Sequence, residues 1–183
     1  PNTGIKDFRD PKVVWDEDRD RWVMALATYE KTLFYASSNL KEWEYLSSFG
    51  EGIGAHDGVW ECPDLFPMKV QNSEEVKWVL LQSLNPGHIN GGSGTQYFIG
   101  DFDGTNFILD KKFAQDVKID NAIWLDYGRD NYAGVTWSNV PKKDGRTLFI
   151  GWMSNWDYAM VVPTTAWRSS MTLARELHLN KTN

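Results

Sequence analysis

Two carboxylic acids in matched settings are the residues of this chain best suited to chemistry. Asp10 lies in "FRDPK", between Arg9 and Pro11, and Glu61 lies in "WECPD", with Pro63 two positions on. Strand-like residues follow each, "KVVW" after the first and "DLFPMKV" after the second. Proline disfavours helix in the residue before it, Asp10 in one case and Cys62 beside Glu61 in the other. With strand-like sequence following, both acids are therefore expected where the first strand of a structural unit begins. Taken singly, either could simply cap a turn. As a pair, with an arginine beside one and a tryptophan beside the other, they fit a sugar-cleaving site. Such a site needs a carboxylic acid to protonate the leaving oxygen and carboxylates to offset positive charge growing at the anomeric carbon. Glu61 is hemmed in by Trp60, Leu65 and Phe66, an apolar setting expected to keep a proton on the carboxyl group, as an acid catalyst requires.

Other chemistry finds less support. Cys62 is the only cysteine, so neither an internal disulfide nor a cysteine-based zinc site can form. Alternation along a strand turns Cys62 to the face opposite Glu61, where it is expected to pack as a small hydrophobe. His56, His88 and His178 show neither a nucleophile dyad pattern nor the spacing of a zinc helix, so no metal and no cofactor are expected. "NGGSG", Asn90 to Gly94, is followed by the strand-like "TQYFIG" and carries no lysine, which removes a phosphate-binding loop on context.

The elements that must position the acids come as short apolar runs, not at helical spacing. "KVVW", "RWVMALAT", "TLFYASS" and "WEYLSSF" form a first group of four strands. "DLFPMKV", "KWVLLQSL", "TQYFIGDF" and "NFILDKKF" form a second, its last two joined by the turn pair Asp103-Gly104. "AIWLDYG", "YAGVTWS", "TLFIGWMS" and "WRSSMTLARELHL" form a third, with Asp144-Gly145 as another tight turn. Only "TLARELHL" could pass for helix, and weakly. The pattern is all-β, and units of roughly 50 to 65 residues lean towards propeller blades over a sandwich. In a propeller the starts of first strands converge near the central channel, which would bring Asp10 and Glu61 to one pocket.

Composition sets outer limits. A chain of 183 residues fits one domain or a piece of a larger all-β one. The formal charge of −6, from 25 acids and 19 bases without a basic cluster, argues against a nucleic-acid partner. No apolar run of about 18 residues and no signal-like segment is present, so no membrane partner is expected. Ten tryptophans are more than a core of this size requires, and some are expected to serve a site. The chain opens on Pro1 and reaches strand-like sequence almost at once, as an excerpt or processed segment would.

In order, "FRDP", "WECPDLFP", "GGSGTQYFIGDFDG", "LDYGRDNYA", "IGWMSNWDY" and "PTTAWRSSMTLARELHL" resemble the successive motifs of glycoside hydrolase family 32, the invertase, inulinase and levanase group. The resemblance spans essentially the whole chain. It implies a five-bladed β-propeller catalytic domain, of which residues 1–183 cover about three blades with no second domain. It also implies retaining double displacement on the terminal β-fructofuranosyl groups of sucrose, inulin or levan, a fructose-containing saccharide as partner, and an extracellular or periplasmic location. By the same resemblance Glu61 is the acid/base, Asp10 the transition-state stabiliser and Arg9 a sugar-binding neighbour that keeps nearby carboxylates ionised. Trp152 or Trp156 lies at the fructose site, and Asp126 and Asp130 support a blade. The family's nucleophile, the aspartate of a Trp-Met-Asn-Asp-Pro-Asn type motif, has no counterpart ahead of Arg9. If these residues were the whole molecule, covalent catalysis would be lost, leaving a non-catalytic fructan-binding or pseudoenzyme fragment, with open blade edges through which copies could associate. A smaller departure is Ala174, where the family commonly has proline. A propeller hydrolase of arabinose-type furanosides or a levansucrase-type transferase is a third possibility, against which the Glu-Cys-Pro element speaks.

Overall fold

The computed structural model describes residues 4–181. Its first sheet contains β1 (Arg9–Asp16), β2 (Arg21–Ala27), β3 (Thr32–Ser37) and β4 (Glu44–Phe49), hydrogen-bonded in chain order and antiparallel. The second repeats the pattern with β5 (Val59–Lys69), β6 (Val76–Asn85), β7 (Gly94–Phe102) and β8 (Phe107–Leu109). Both groups of four expected from the sequence are present. Gly104, in the turn between β7 and β8, takes a φ of +94° that a side chain would resist.

The third sheet departs from the expectation. Here β10 (Thr147–Met153) is central, with β9 (Tyr132–Thr136) along one edge. Its other edge is shared by β12 (Arg175–Leu177), opposite residues 147–149, and β11 (Ser170–Met171), opposite residues 152–153. "AIWLDYG" is not a strand of this sheet. It lies against the free edge of β7 through Tyr97 N–H to Ile123 O and Leu125 N–H to Thr95 O. "TLARELHL" is extended rather than helical, and its Leu179 carbonyl accepts from Gln71 N–H.

The one described helix, α1 (Lys111–Asp120), falls where "NFILDKKF" reads as continuous strand. Asp110 caps it by accepting from the N–H groups of Lys112 and Phe113, and Asn121 ends it at a φ of +62°. The helix packs Phe113 against Tyr97 of β7.

The three sheets are blades of a β-propeller, and β1, β5 and β9 are their inner strands. One core cluster lies between the first two blades and includes Val23, Phe34, Leu80, Phe98 and Trp60. Trp60 has no exposed surface, and truncating it to alanine would cost roughly 3–5 kcal/mol. Phe66, Met68, Val79 and Leu81 continue the core to Phe149 of the third blade. Gly134 is required there, because a Cβ would stand 2.0 Å from the Phe149 ring. Inner strands are edge strands, so Pro11, Pro63 and Pro67 interrupt no ladder on their free side. No described helix is long and apolar enough to cross a membrane.

Candidate active site

The three inner strands carry the same irregularity at the same place. In β1 the register breaks between Arg9 and Lys12, in β5 between Glu61 and Asp64, and against β9 between Ile150 and Trp152. Asp10, Cys62 and Ala133 occupy these bulges in left-handed conformation, at φ of +59°, +47° and +52°. A bulge re-aims the side chains that flank it. It turns the residue before each, Arg9, Glu61 and Tyr132, towards the same centre.

There the side chains meet. Arg9 Nη2 donates to Glu61 Oε1 at 2.6 Å, and Arg9 Nη1 donates to Asp7 Oδ1 at 2.5 Å. The Tyr132 hydroxyl donates to Glu61 Oε2. Asp10 Oδ2 accepts from Cys62 N–H at 3.1 Å and lies 3.8 Å from Arg9 Nε. The acids expected to share a pocket are thus bridged by one guanidinium. The side chains of Arg9, Asp10 and Glu61 remain 36%, 30% and 20% exposed, so a small polar ligand can reach them.

The electrostatics follow from these contacts. Hydrogen bonding to Glu61, above all, drives the Arg9 guanidinium further above its ordinary pKa, so it stays charged throughout the accessible pH range. Burial, then the bond to Glu61, pushes the Tyr132 phenol well above its usual range and keeps it a donor. Gln82 supports the strand from behind, donating to Glu61 O at 2.7 Å while its Oε1 accepts from Thr32 Oγ1 at 2.6 Å.

Two expectations about Glu61 and its neighbour are corrected. Trp60 does not line the carboxyl group, because it faces the inter-blade core, stacked on His56. The neighbours of Glu61 are a guanidinium and a phenol. Cys62 does not turn away behind Glu61 either, because the bulge breaks the alternation of side chains. Its Sγ lies 3.6 Å from Asp10 Oδ2. Burial, then the Asp10 charge, pushes the thiol up to about 12, which leaves it protonated and without nucleophilic character.

The aromatic residues form a wall beside this centre. Trp152 stands edge-on to Tyr132 with centroids 6.4 Å apart, and Trp156 packs on Trp152 at 5.0 Å. Trp156 is 45% exposed. Its loop is held by Asn155, fully buried, whose Nδ2 donates to the carbonyls of Gly91, Ser93 and Arg129. Asn155 Oδ1 accepts from Ser93 N–H and Asp157 N–H. The "NGGSG" loop is therefore a support for the tryptophan loop. Gly92 is obligatory there, since a Cβ would fall 1.9 Å from Asn155 Oδ1.

Asp126 accepts from Arg175 Nη1 at 2.6 Å and from Gly128 N–H. Burial acts to raise its carboxyl, but Arg175 and these N–H donors outweigh it and hold the group below its ordinary range. It is a tie between β12 and the loop ahead of β9, whereas Asp130 is exposed. Among the described residues no cluster of His, Cys, Asp or Glu is arranged to hold a metal ion. Tyr132 and Asn155 escaped the sequence reading. The recurrence of Arg-Asp-Pro, Glu-Cys-Pro and Tyr-Ala-Gly at the start of each inner strand is the signal that could have revealed Tyr132.

Comparison with known proteins bears on this site. The model of the "Glycosyl hydrolases family 32 N-terminal domain" matches residues 1–183. A levanase of Bacillus subtilis (strain 168) is 52% identical over 180 residues, covering 98% of this chain and 26% of the relative. An extracellular exo-inulinase of Aspergillus niger is 43% identical over 184 residues, covering 97% of this chain and 33% of the relative. The solved structure of a fructofuranosidase from Schwanniomyces occidentalis complexed with fructose superposes with a TM-score of 0.85 at 40% identity, over 97% of this chain and 33% of that one. The chain thus spans about a quarter to a third of the length of these relatives.

Proposed function

The chain belongs to glycosyl hydrolase family 32, and from that premise we propose that residues 1–183 are part of the catalytic propeller domain of a β-fructofuranosidase. The substrate is a terminal β-D-fructofuranosyl residue of sucrose, inulin or levan. The observation that carries this reading is the meeting of Arg9, Asp10, Glu61 and Tyr132 from three inner strands at one partly exposed centre.

The reaction is a retaining double displacement. A carboxylate nucleophile from outside these 183 residues attacks the anomeric C2 of the fructosyl group while Glu61 gives its proton to the leaving oxygen. Glu61 then takes a proton from water, whose oxygen attacks C2 and releases fructose. Asp10 accepts hydrogen bonds from fructose hydroxyls and offsets the positive charge that develops on the ring. Arg9 holds Glu61 and Asp10 in one charge network. The Trp152–Trp156 pair offers an apolar face to the sugar ring, with Trp152 nearer the chemistry through Tyr132. An extracellular location is supported by the exo-inulinase relative, which is extracellular.

Methanolysis tests this reading. The full-length protein, given sucrose or levan in dilute methanol, is expected to form methyl β-D-fructofuranoside alongside fructose. The α-anomer would overturn double displacement. Tight binding of fructo-oligosaccharide without turnover would replace the hydrolase reading with a fructan-binding one.

A further inference from the structure

A second polar layer ties the three inner strands together, and the chemistry above makes no use of it. Asp64 of β5 has no exposed surface. Its Oδ2 accepts from Thr136 N–H of β9 at 2.6 Å and from Thr136 Oγ1 at 2.8 Å. The same oxygen lies 3.5 Å from Nζ of Lys12 in β1, and Lys12 Nζ donates to Thr136 O at 2.7 Å. Lys12 follows the bulge of β1 as Asp64 follows that of β5, two partner residues on in each case, so this layer sits roughly 7 Å along the strands from the Arg9–Glu61 layer. Asp64 Oδ1 is buried and has no partner among the described residues.

Stability alone does not call for such a set. Burial strongly disfavours the Asp64 carboxylate and pushes its pKa up against the opposing pull of Lys12 and Thr136. Replacing a buried ion pair by well-packed apolar residues is often neutral or stabilising. What a polar set supplies and an apolar one does not is direction. Each bond here joins named atoms on different blades, so the three strands have one relative placement in which all of them form. The upper layer has its own inter-blade bonds, but these run through Arg9, Asp10, Glu61 and Tyr132, the groups that must turn to sugar when substrate arrives.

We propose that Asp64 is a positioning residue: by gripping Lys12 and Thr136 it sets the separation at which β1 and β5 present Asp10 and Glu61 to one fructose ring, and at which β9 presents Tyr132 to Glu61. The proposal rests on the fructofuranosidase reading. Substrate can displace the Arg9–Glu61 bond without letting the strands drift, because the lower layer stays bonded. A misplacement of about 1 Å in such a site is enough to cost about a hundredfold in rate.

The test is a double-mutant cycle in the full-length protein with Asp64→Asn, Lys12→Met and the pair, reading kcat and KM on sucrose together with melting temperature. Each single variant is expected to lose at least tenfold in kcat with KM changed less than threefold. The double variant is expected to lose no more than the worse single one, since the groups act as a unit. Thr136→Val, which keeps the shape and the main-chain bonds, supplies the answer where the charged variants do not fold, with a severalfold loss in kcat expected. Folded variants that melt earlier but turn over at the wild-type kcat, or losses that multiply in the double variant, would overturn the proposal while leaving the hydrolase reading intact. An unsubstituted protein with no fructosidase activity would overturn both.

Discussion

Replacing Asp10 by asparagine separates the two duties proposed for this residue, holding the bulge and stabilising charge on the sugar. Its φ of +59° lies in the left-handed region that asparagine and aspartate tolerate far better than other residues with a Cβ. Asparagine therefore preserves the bulge that aims Arg9. Its side-chain oxygen can still accept from Cys62 N–H, the bond now measured at 3.1 Å. What is lost is the charge on the acceptor. Charge-assisted bonds contribute about 1.5–3 kcal/mol and neutral ones about 0.5–1.5, so the expected stability loss is about 1 kcal/mol. For a domain of this size that is a fall of about 2–4 °C in melting temperature. Activity should respond far more, because removing one preorganised group aimed at developing charge costs about 10²–10³-fold in kcat. Alanine at the same position adds the left-handed backbone cost, roughly 1–2 kcal/mol, and should melt lower than asparagine by several degrees. Initial rates of fructose release and thermal melts on the three proteins provide the assay. Wild-type turnover by Asp10→Asn would refute the stabiliser role, and an alanine variant as stable as the asparagine one would refute the account of the bulge.

The remaining predictions address its neighbours. With a thiol pushed up to about 12, Cys62 at pH 8.5 has about one thiolate in 3,000, against one in two for an ordinary thiol near 8.5. Iodoacetamide should therefore label it about a thousandfold more slowly in the native protein than after unfolding, as followed by mass. The Tyr132 phenol, held above its ordinary range by burial and by Glu61, should stay protonated past pH 10. Comparing ultraviolet titrations of wild type and Tyr132→Phe at 295 nm should show no phenolate signal from this residue below about pH 11. Asn155→Ala leaves the carbonyls of Gly91, Ser93 and Arg129 without their donor. A loss of about 3 kcal/mol is expected, lowering the melting temperature by about 6–12 °C, with KM for sucrose raised as the Trp156 loop loosens.

The first two blades were legible because their apolar runs are separated by turn residues with a mechanism, such as Gly104, and because side-chain burial on a sheet writes itself as short runs. The convergence of the first strands followed from topology alone. The helix Lys111–Asp120 was not seen because no Gly or Pro stands between it and Phe107–Leu109, and Phe113 resumes the apolar pattern after the polar Asp110, Lys111 and Lys112. Its signals were present in Asp110 as cap and Asn121 as stop, but each is a single residue inside a region already read as strand. "AIWLDYG" has strand composition and even makes two ladder bonds, yet to β7; which sheet edge a segment joins is a tertiary choice that local composition does not encode. The site was legible in its acids and opaque in its geometry. Alternation predicted Cys62 behind Glu61, and sequence adjacency predicted Trp60 beside its carboxyl group; a bulge of one residue put the thiol against Asp10, and Trp60 faces the inter-blade core. Pro11 and Pro63 hint at irregular strands, but not at a left-handed residue before each. Asp64, the residue proposed to fix the spacing of the acids, reads in sequence as one more charge after a proline.

The account stands most directly on Glu61. In the full-length protein Glu61→Ala is expected to lower hydrolysis of sucrose or levan by about 10²–10⁴-fold. With an activated aryl β-fructofuranoside, whose leaving group needs no proton, azide should restore turnover and yield β-fructosyl azide, since the glycosyl-enzyme still forms and an anionic nucleophile needs no base. Sucrose hydrolysis by Glu61→Ala at the wild-type rate would remove Glu61 from the mechanism and contradict the account.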